Sequence, residues 1–211
     1  MSQIAFPRLD DKILARRDSI ISGLATILPR ECLITDESGR RAFETDALTA
    51  YRRLPLAVAL PRSTAEVQRV MRFCRDQKVN VVPRGAGTSL SGGAIPQEDA
   101  VVIALTKMSR VLEINFADRY ARVEAGVTNL AISEAVVAEG FFYAPDPSSQ
   151  CICSIGGNVA ENAGGAHCLK YGFTTTYVLG LEVVLPDGSL AHLGGKTLDT
   201  PGYDLPGVFV G

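Results

Sequence analysis

Apolar residues recur at Leu9, Ile13, Ile20, Leu24 and Ile27 until Pro29 stops the run, a near-helical spacing that predicts an amphipathic helix over residues 9–28. Residues 31–53 are mixed and polar. Residues 56–60 read as a short strand ended by Pro61, and Ser63-Thr64-Ala65-Glu66 forms a capping box. In it the Ser63 hydroxyl accepts from the Glu66 amide while the Glu66 carboxylate reaches back. Val67, Val70, Met71 and Cys74 then fall on one helical face, and the apolar run 79–82 reads as a buried strand that stops at Pro83. Strand, helix and strand make a β-α-β unit. Further strands are expected over 101–105, 111–115 and 121–124, the last two joined by a polar connector with Asp118 and Arg119. A helix follows over 129–139, with Thr128 as cap and Gly140 as stop. Residues 179–185 and 189–193 flank Pro186-Asp187-Gly188, a hairpin signal. The pattern is mixed α/β (α+β).

Two stretches break it. Residues 79–93, VNVVPRGAGTSLSGG, carry a strand into Gly85, Gly87, Gly92 and Gly93, with Thr88, Ser89 and Ser91 between them. Residues 145–172, PDPSSQCICSIGGNVAENAGGAHCLKYG, crowd Gly156, Gly157, Gly164 and Gly165 together with Ser154, Asn158 and Asn162, and hold few large apolar side chains. Glycine frees backbone amides to turn toward a ligand and lets the chain approach it closely, which suits an anionic or flat aromatic group. The first loop leaves the C-terminal end of its strand, the edge that ligands of α/β sheets prefer. A plain flexible turn is the alternative for either loop alone. A dinucleotide G-x-G-x-x-G would need glycine at Leu90, and a P-loop beginning at Gly87 meets Gly93 where lysine is required.

Composition adds exclusions. The 211 residues suffice for one large domain or two small subdomains, and 46% hydrophobic with 21% charged residues is ordinary for a globular protein. A net charge of −2 with interspersed signs shows neither a nucleic-acid footprint nor a polybasic membrane patch. Apolar runs fall far short of the roughly 20 residues that span a bilayer. The first 17 residues lack a secretory pattern, and five irregularly spaced cysteines argue for a reducing compartment, so a cytoplasmic location is expected. Cys151 and Cys153, with His167 and Cys168 downstream, have the wrong spacing for zinc, so no metal is expected.

The segments PRGAGTSLSGGA, YAPDPSSQ, CSIGGNVAENAGGAHCLKYG and LGLEVVLPDG resemble the FAD-binding (PCMH-type) domain shared by vanillyl-alcohol oxidase and p-cresol methylhydroxylase. More narrowly, they resemble the FAD-linked subunit of bacterial glycolate oxidase and its D-lactate dehydrogenase relatives. The resemblance runs from about Phe43 to the end of the chain. It implies two α/β subdomains with the flavin between them: residues 1–53 as an N-terminal helix and covering segment, and 54–211 as the flavin domain. In the family a Ser-Glu-Gly continuation, another strand and a substrate-binding cap domain follow GYDLPGVFVG, so a C-terminally truncated domain is expected.

The resemblance assigns the pyrophosphate to the first loop, Pro83, Arg84, Gly85, Ala86, Gly87, Thr88, Ser89 and Ser91, chiefly through backbone amides. Arg84 can equally be solvated or salt-bridged. Around the flavin it places Pro145, Asp146, Ser148, Ser154, Gly156, Gly157, Asn158, Asn162, Gly164 and Gly165. Tyr171 and Gly172 match the family's KYG element, and Glu182 with Val183 match the strand facing the adenine or ribityl end. Asp146 is expected to accept backbone or ribityl hydrogen bonds or to cap a turn. RGAGTS holds no histidine of the kind that tethers some family flavins, so noncovalent FAD is expected. His167 can sit near the cofactor or be structural, and His192 is read as structural. The implied activity is oxidation of glycolate or D-lactate to the 2-oxo acid by hydride transfer to FAD. Implied partners are a second flavin-domain-like subunit and an iron–sulfur subunit, with peripheral membrane association through them. The catalytic base and metal ligands are expected in the cap domain. Two alternatives stand beside this: a truncated noncatalytic flavin-binding fragment, and a structural or interaction domain that takes no FAD.

Overall fold

At the centre is an all-apolar strand, AVVIA, with every residue buried. The computed structural model describes residues 6–196 and 202–211; residues 1–5 of the stretch read for a leader lie outside them. In chain order the elements are α1 (Asp11–Ala15), α2 (Arg17–Ala25), β1 (Leu33–Ile34), α3 (Glu37–Arg40), β2 (Ala57–Ala59), α4 (Thr64–Gln77), β3 (Asn80–Arg84) and β4 (Ala100–Ala104). There follow β5 (Val111–Asn115), β6 (Tyr120–Val123), α5 (Asn129–Val136), α6 (Ile155–Glu161), α7 (Cys168–Tyr171), β7 (Gly180–Val184), β8 (Leu190–Gly194) and α8 (Leu205–Phe209). The mixed α/β expectation holds.

The main sheet has the order β1-β2-β4-β3. β2 and β3 both run parallel to β4, in registers Ala57↔Val101 and Arg84↔Ala104, while β1 closes the far edge antiparallel to β2. The β-α-β unit is therefore β2-α4-β3 with β4 inserted between its strands. Ile13, Ile20 and Leu24 of the N-terminal helices and Val70 and Cys74 of α4 are buried in one core with β2 and β4. Each such aliphatic side chain contributes about 1.5–3 kcal/mol of burial.

Four sequence expectations need adjustment. The N-terminal helix is two helices, broken at Arg16 (φ −100°, ψ 12°), whose guanidinium donates to the Gln77 side chain and carbonyl at the end of α4 (3.1 and 3.0 Å). β3 passes through Pro83 to Arg84; proline is tolerated because β3 is an edge strand and needs hydrogen bonds on one side only. The helix capped by Thr128 ends at Val136, and residues 137–139 continue as a 3-10 turn into Gly140 (φ +78°). The capping box forms with a shifted partner: Ser63 Oγ accepts from Glu66 N at 3.3 Å, and Glu66 Oε2 accepts from Arg62 N at 2.7 Å.

The remaining strands form two hairpins, β5-β6 and β7-β8. The tip of the second lies on α4, where Gln68 Nε2 and Arg75 Nη1 donate to the Gly188 and Asp187 carbonyls. α8 follows β8, and the Gly211 N–H donates to the Val159 carbonyl of α6. No helix of the described residues is long and apolar enough to cross a membrane.

Candidate functional site

Both glycine stretches meet in one place. The first leaves the C-terminal end of β3 at Arg84 and runs past the start of α6, so close that a Cβ on Gly85 would overlap Ser154 Oγ and stand 3.8 Å from Gly157 Cα. Further along, a Cβ on Gly93 would lie 3.5 Å from Glu161 Oε1, near the other end of α6. Hence residues 85–93 lie alongside α6.

α6 itself is held from below. Glu124, 8% exposed, accepts from Arg110 N (2.8 Å), Nη2 (2.8 Å) and Nε (3.2 Å), and these bonds hold its carboxyl below the usual carboxylate range. That pair fixes the start of segment 124–128, against which Gly156 N donates to Ala125 O (2.9 Å) and Ile155 N to Val127 O (2.8 Å). Ser154 is buried and caps α6, its Oγ accepting from Gly157 N. Asn158 is 3% exposed and its Nδ2 has no hydrogen-bond partner among the described residues. Asn162 closes the helix in the left-handed region (φ 48°), with its Oδ1 accepting from Thr175 N at 3.0 Å.

Arg84 is not the solvated arginine that the sequence left open. Its guanidinium is 8% exposed, donates to the Thr45 and Ala94 carbonyls (2.8 and 3.2 Å) and lies 5.5 Å from the Phe43 ring centre. Burial lowers its pKa, and the neighbouring Asp46 carboxylate opposes that shift. Beyond it the chain turns through Gly87 (φ +74°), where a Cβ would overlap the Arg84 guanidinium. Among the described residues, the backbone N–H groups of Ala86, Gly87, Thr88 and Ser89 find no acceptor. Ser89 Oγ accepts from Ser91 N at 3.1 Å.

α6 itself lies within the second glycine stretch, residues 145–172. Pro145 is buried, its carbonyl accepting from Asn129 Nδ2 (3.0 Å), while Ser148 is exposed. Asp146 bonds within the protein: its Oδ1 accepts from His167 N (3.2 Å) and its Oδ2 lies 2.5 Å from His167 Nδ1. The His167 backbone N–H, then its imidazole, hold the Asp146 carboxyl below its ordinary range. Gly164 and Gly165 are tight packing positions, since Cβ atoms there would overlap the Phe173 ring edge and the Asp146 backbone. Tyr171 stacks edge-on against Phe142 (6.0 Å) and precedes Gly172 (φ +83°). Glu182 and Val183 stand on β7, where Glu182 accepts from Thr64 Oγ1 (2.7 Å) at the start of α4 and Val183 pairs with Ala191. Among the described residues, no hydrogen bond joins these two to the glycine loops.

The residues present fit a phosphate-bearing cofactor. The amides of residues 86–89 lack an acceptor among the described residues, as does the buried Asn158 amide, and Gly85 permits an approach that any side chain would fill; glycine-rich runs of such amides suit an anion. Cavities beside Phe6 and Arg53 and beside Ile21 and Leu33 lie away from both glycine stretches. Sequence reasoning missed Asp46, buried at 3% exposure, whose Oδ2 accepts from Gly92 N at 2.8 Å.

Comparison with known proteins agrees with this geometry. A family model described as an FAD binding domain matches residues 55–194. The glycolate oxidase subunit GlcD of Escherichia coli (strain K12) is 50% identical over 196 residues, covering 92% of this chain and 39% of that protein. D-lactate dehydrogenase of Archaeoglobus fulgidus is 39% identical over 170 residues, 80% of this chain and 38% of its own length. Among solved structures, p-cresol methylhydroxylase with substrate bound superposes with a TM-score of 0.79 at 20% identity, over 93% of this chain and 41% of that one, a likeness of fold. This chain spans about two fifths of the length of the relatives it matches.

Proposed function

We propose that this chain, which belongs to the FAD binding domain family, is the flavin-binding portion of an FAD-dependent oxidoreductase of the glycolate oxidase FAD-linked-subunit type, acting on glycolate or D-lactate. The observation that carries the reading is the run of unpartnered amides at Ala86–Ser89 beside the orphaned Asn158 amide. FAD, when bound, supplies the acceptor for a hydride from the hydroxy acid. The chain's own work is binding and positioning. Amides of residues 86–89 take the pyrophosphate, with the Thr88 and Ser89 hydroxyls beside them, and Asn158 with residues 145–172 lines the flavin. Glu182 and Val183 serve the adenine or ribityl end.

We assign FAD as noncovalent, residues 1–53 as a covering segment and 54–211 as the flavin domain. The substrate pocket and its catalytic base are assigned outside residues 1–211. A relative named as a subunit supports partner chains; we assign them as a second flavin-domain-like subunit and an iron–sulfur subunit, and place the chain in the cytoplasm, peripheral to the membrane through them. A second reading is a flavin-binding chain without turnover of its own.

Visible absorption of the purified chain, before and after acid precipitation, tests the assignment. Flavin bands released into the supernatant support noncovalent FAD; a colourless chain that ignores added FAD overturns it. Turnover of glycolate or D-lactate with an artificial acceptor would reject the second reading.

A further inference from the structure

The first glycine loop does not hold its own shape. Of the loop's backbone N–H groups, Ser91 N bonds a loop hydroxyl and Gly92 N is taken by Asp46, 46 residues earlier in the chain. Asp46 lies in a strap that touches the loop at three points. Arg84 at the loop entrance donates to Thr45 O (2.8 Å), Ala47 N donates to Ser89 O (3.1 Å), and Asp46 Oδ2 accepts from Gly92 N (2.8 Å) at the exit. Between those anchors lie the amides of residues 86–89, which have no acceptor among the described residues. The strap closes on itself through Arg53 N to Glu44 O (2.8 Å) and through Asp46 Oδ1, which accepts from Leu48 N at 3.0 Å.

We propose that Asp46 is a positioning residue for the cofactor: its buried carboxylate, bonded to Gly92 N, sets the loop so that the amides of residues 86–89 converge before FAD arrives. The proposal rests on the FAD-binding reading. A carboxylate suits the place because two backbone N–H groups point at its two oxygens, and both oxygens accept. Asparagine would turn an N–H toward one of them. The negative charge would oppose a pyrophosphate nearby, but the buried Arg84 guanidinium lies within its field and offsets it, leaving the amides to set the local potential. Loss of the clamp leaves the core intact and moves the cost of ordering the loop into the binding step.

The test titrates FAD against the chain and against Asp46→Ala, Asp46→Asn and Leu24→Ala, following flavin fluorescence well below each Tm. Leu24 is a fully buried α2 residue away from the loops, so its variant loses stability through a cavity alone. The expected result is Kd raised about 10- to 100-fold in Asp46→Ala, an intermediate rise in Asp46→Asn, which keeps one acceptor, and no more than about 2-fold change in Leu24→Ala. Unchanged affinity in Asp46→Asn, which preserves shape if the alanine variant fails to fold, overturns the proposal. So does an equal loss in Leu24→Ala, which would make the effect one of general stability. If the unaltered chain takes up no FAD, the functional reading itself falls, and this proposal with it.

Discussion

The contact between Gly85 and the start of α6 joins the two glycine stretches, and one substitution addresses it. In Gly85→Ala the new Cβ would overlap Ser154 Oγ, with Ser154 Cβ 3.4 Å away. The hydroxyl must rotate off Gly157 N, which removes the α6 cap at about 1 kcal/mol. Crowding of a packed site costs about 1–3 kcal/mol more. The sum, about 2–4 kcal/mol, lowers Tm by on the order of 10 °C in a chain of this length. Ser154→Ala alone loses only the cap, about 1 kcal/mol. In the double variant the overlapping atom is gone and the remaining 3.4 Å contact is nearly ordinary, so it should be little less stable than Ser154→Ala. Urea denaturation of all four proteins then gives a coupling of about 2–4 kcal/mol in the sense that Ser154→Ala relieves Gly85→Ala. Additivity within about 0.5 kcal/mol would refute the claim that the loops meet at these atoms.

Arg84→Met should cost about 2–4 kcal/mol in urea denaturation, because the Thr45 and Ala94 carbonyls both lose their donor; a loss below 1 kcal/mol would show that the guanidinium is not their partner. The carboxyl of Asp146 is depressed in the fold, so its stabilisation is fully present above the ordinary range near 4 and is lost as pH falls through the lowered value. Asp146→Asn should therefore be less stable than the parent at pH 7 and approach it as Tm is followed down to pH 2; a constant difference across that range contradicts the pairing. Burial pushes the Cys74 thiol up to about 12, whereas Cys151 is exposed. A thiol reagent at pH 8 should label Cys151 in the native chain and Cys74 only after denaturation, as peptide mapping of the labelled protein will show.

Much of the fold could be read from local pattern. Strand, capped helix and strand over residues 56–84 need only apolar periodicity and the Ser63 cap, and both recur in the structure. Where the reading slipped, the deciding partner was distant. Arg16 breaks a helix to reach Gln77, and Pro83 fits inside a strand because of β3's place at the sheet edge. The two glycine loops were legible, since glycine is required where the chain passes as close to a neighbour as Gly85 does to the Ser154 hydroxyl. Which glycines serve packing was not. Gly156 sits against Ala125 and Gly165 against Asp146, contacts made between segments that the sequence does not align. Asp46 carried no local signal at all, because its role is defined by an amide 46 residues away.

Amide hydrogen exchange of the chain with and without FAD tests the central claim most directly, because it reads the proposed donors themselves. The account expects the N–H groups of Ala86, Gly87, Thr88 and Ser89, unprotected in the free chain, to become protected when FAD is added. Protection elsewhere, with residues 86–89 exchanging as fast as before, would contradict it.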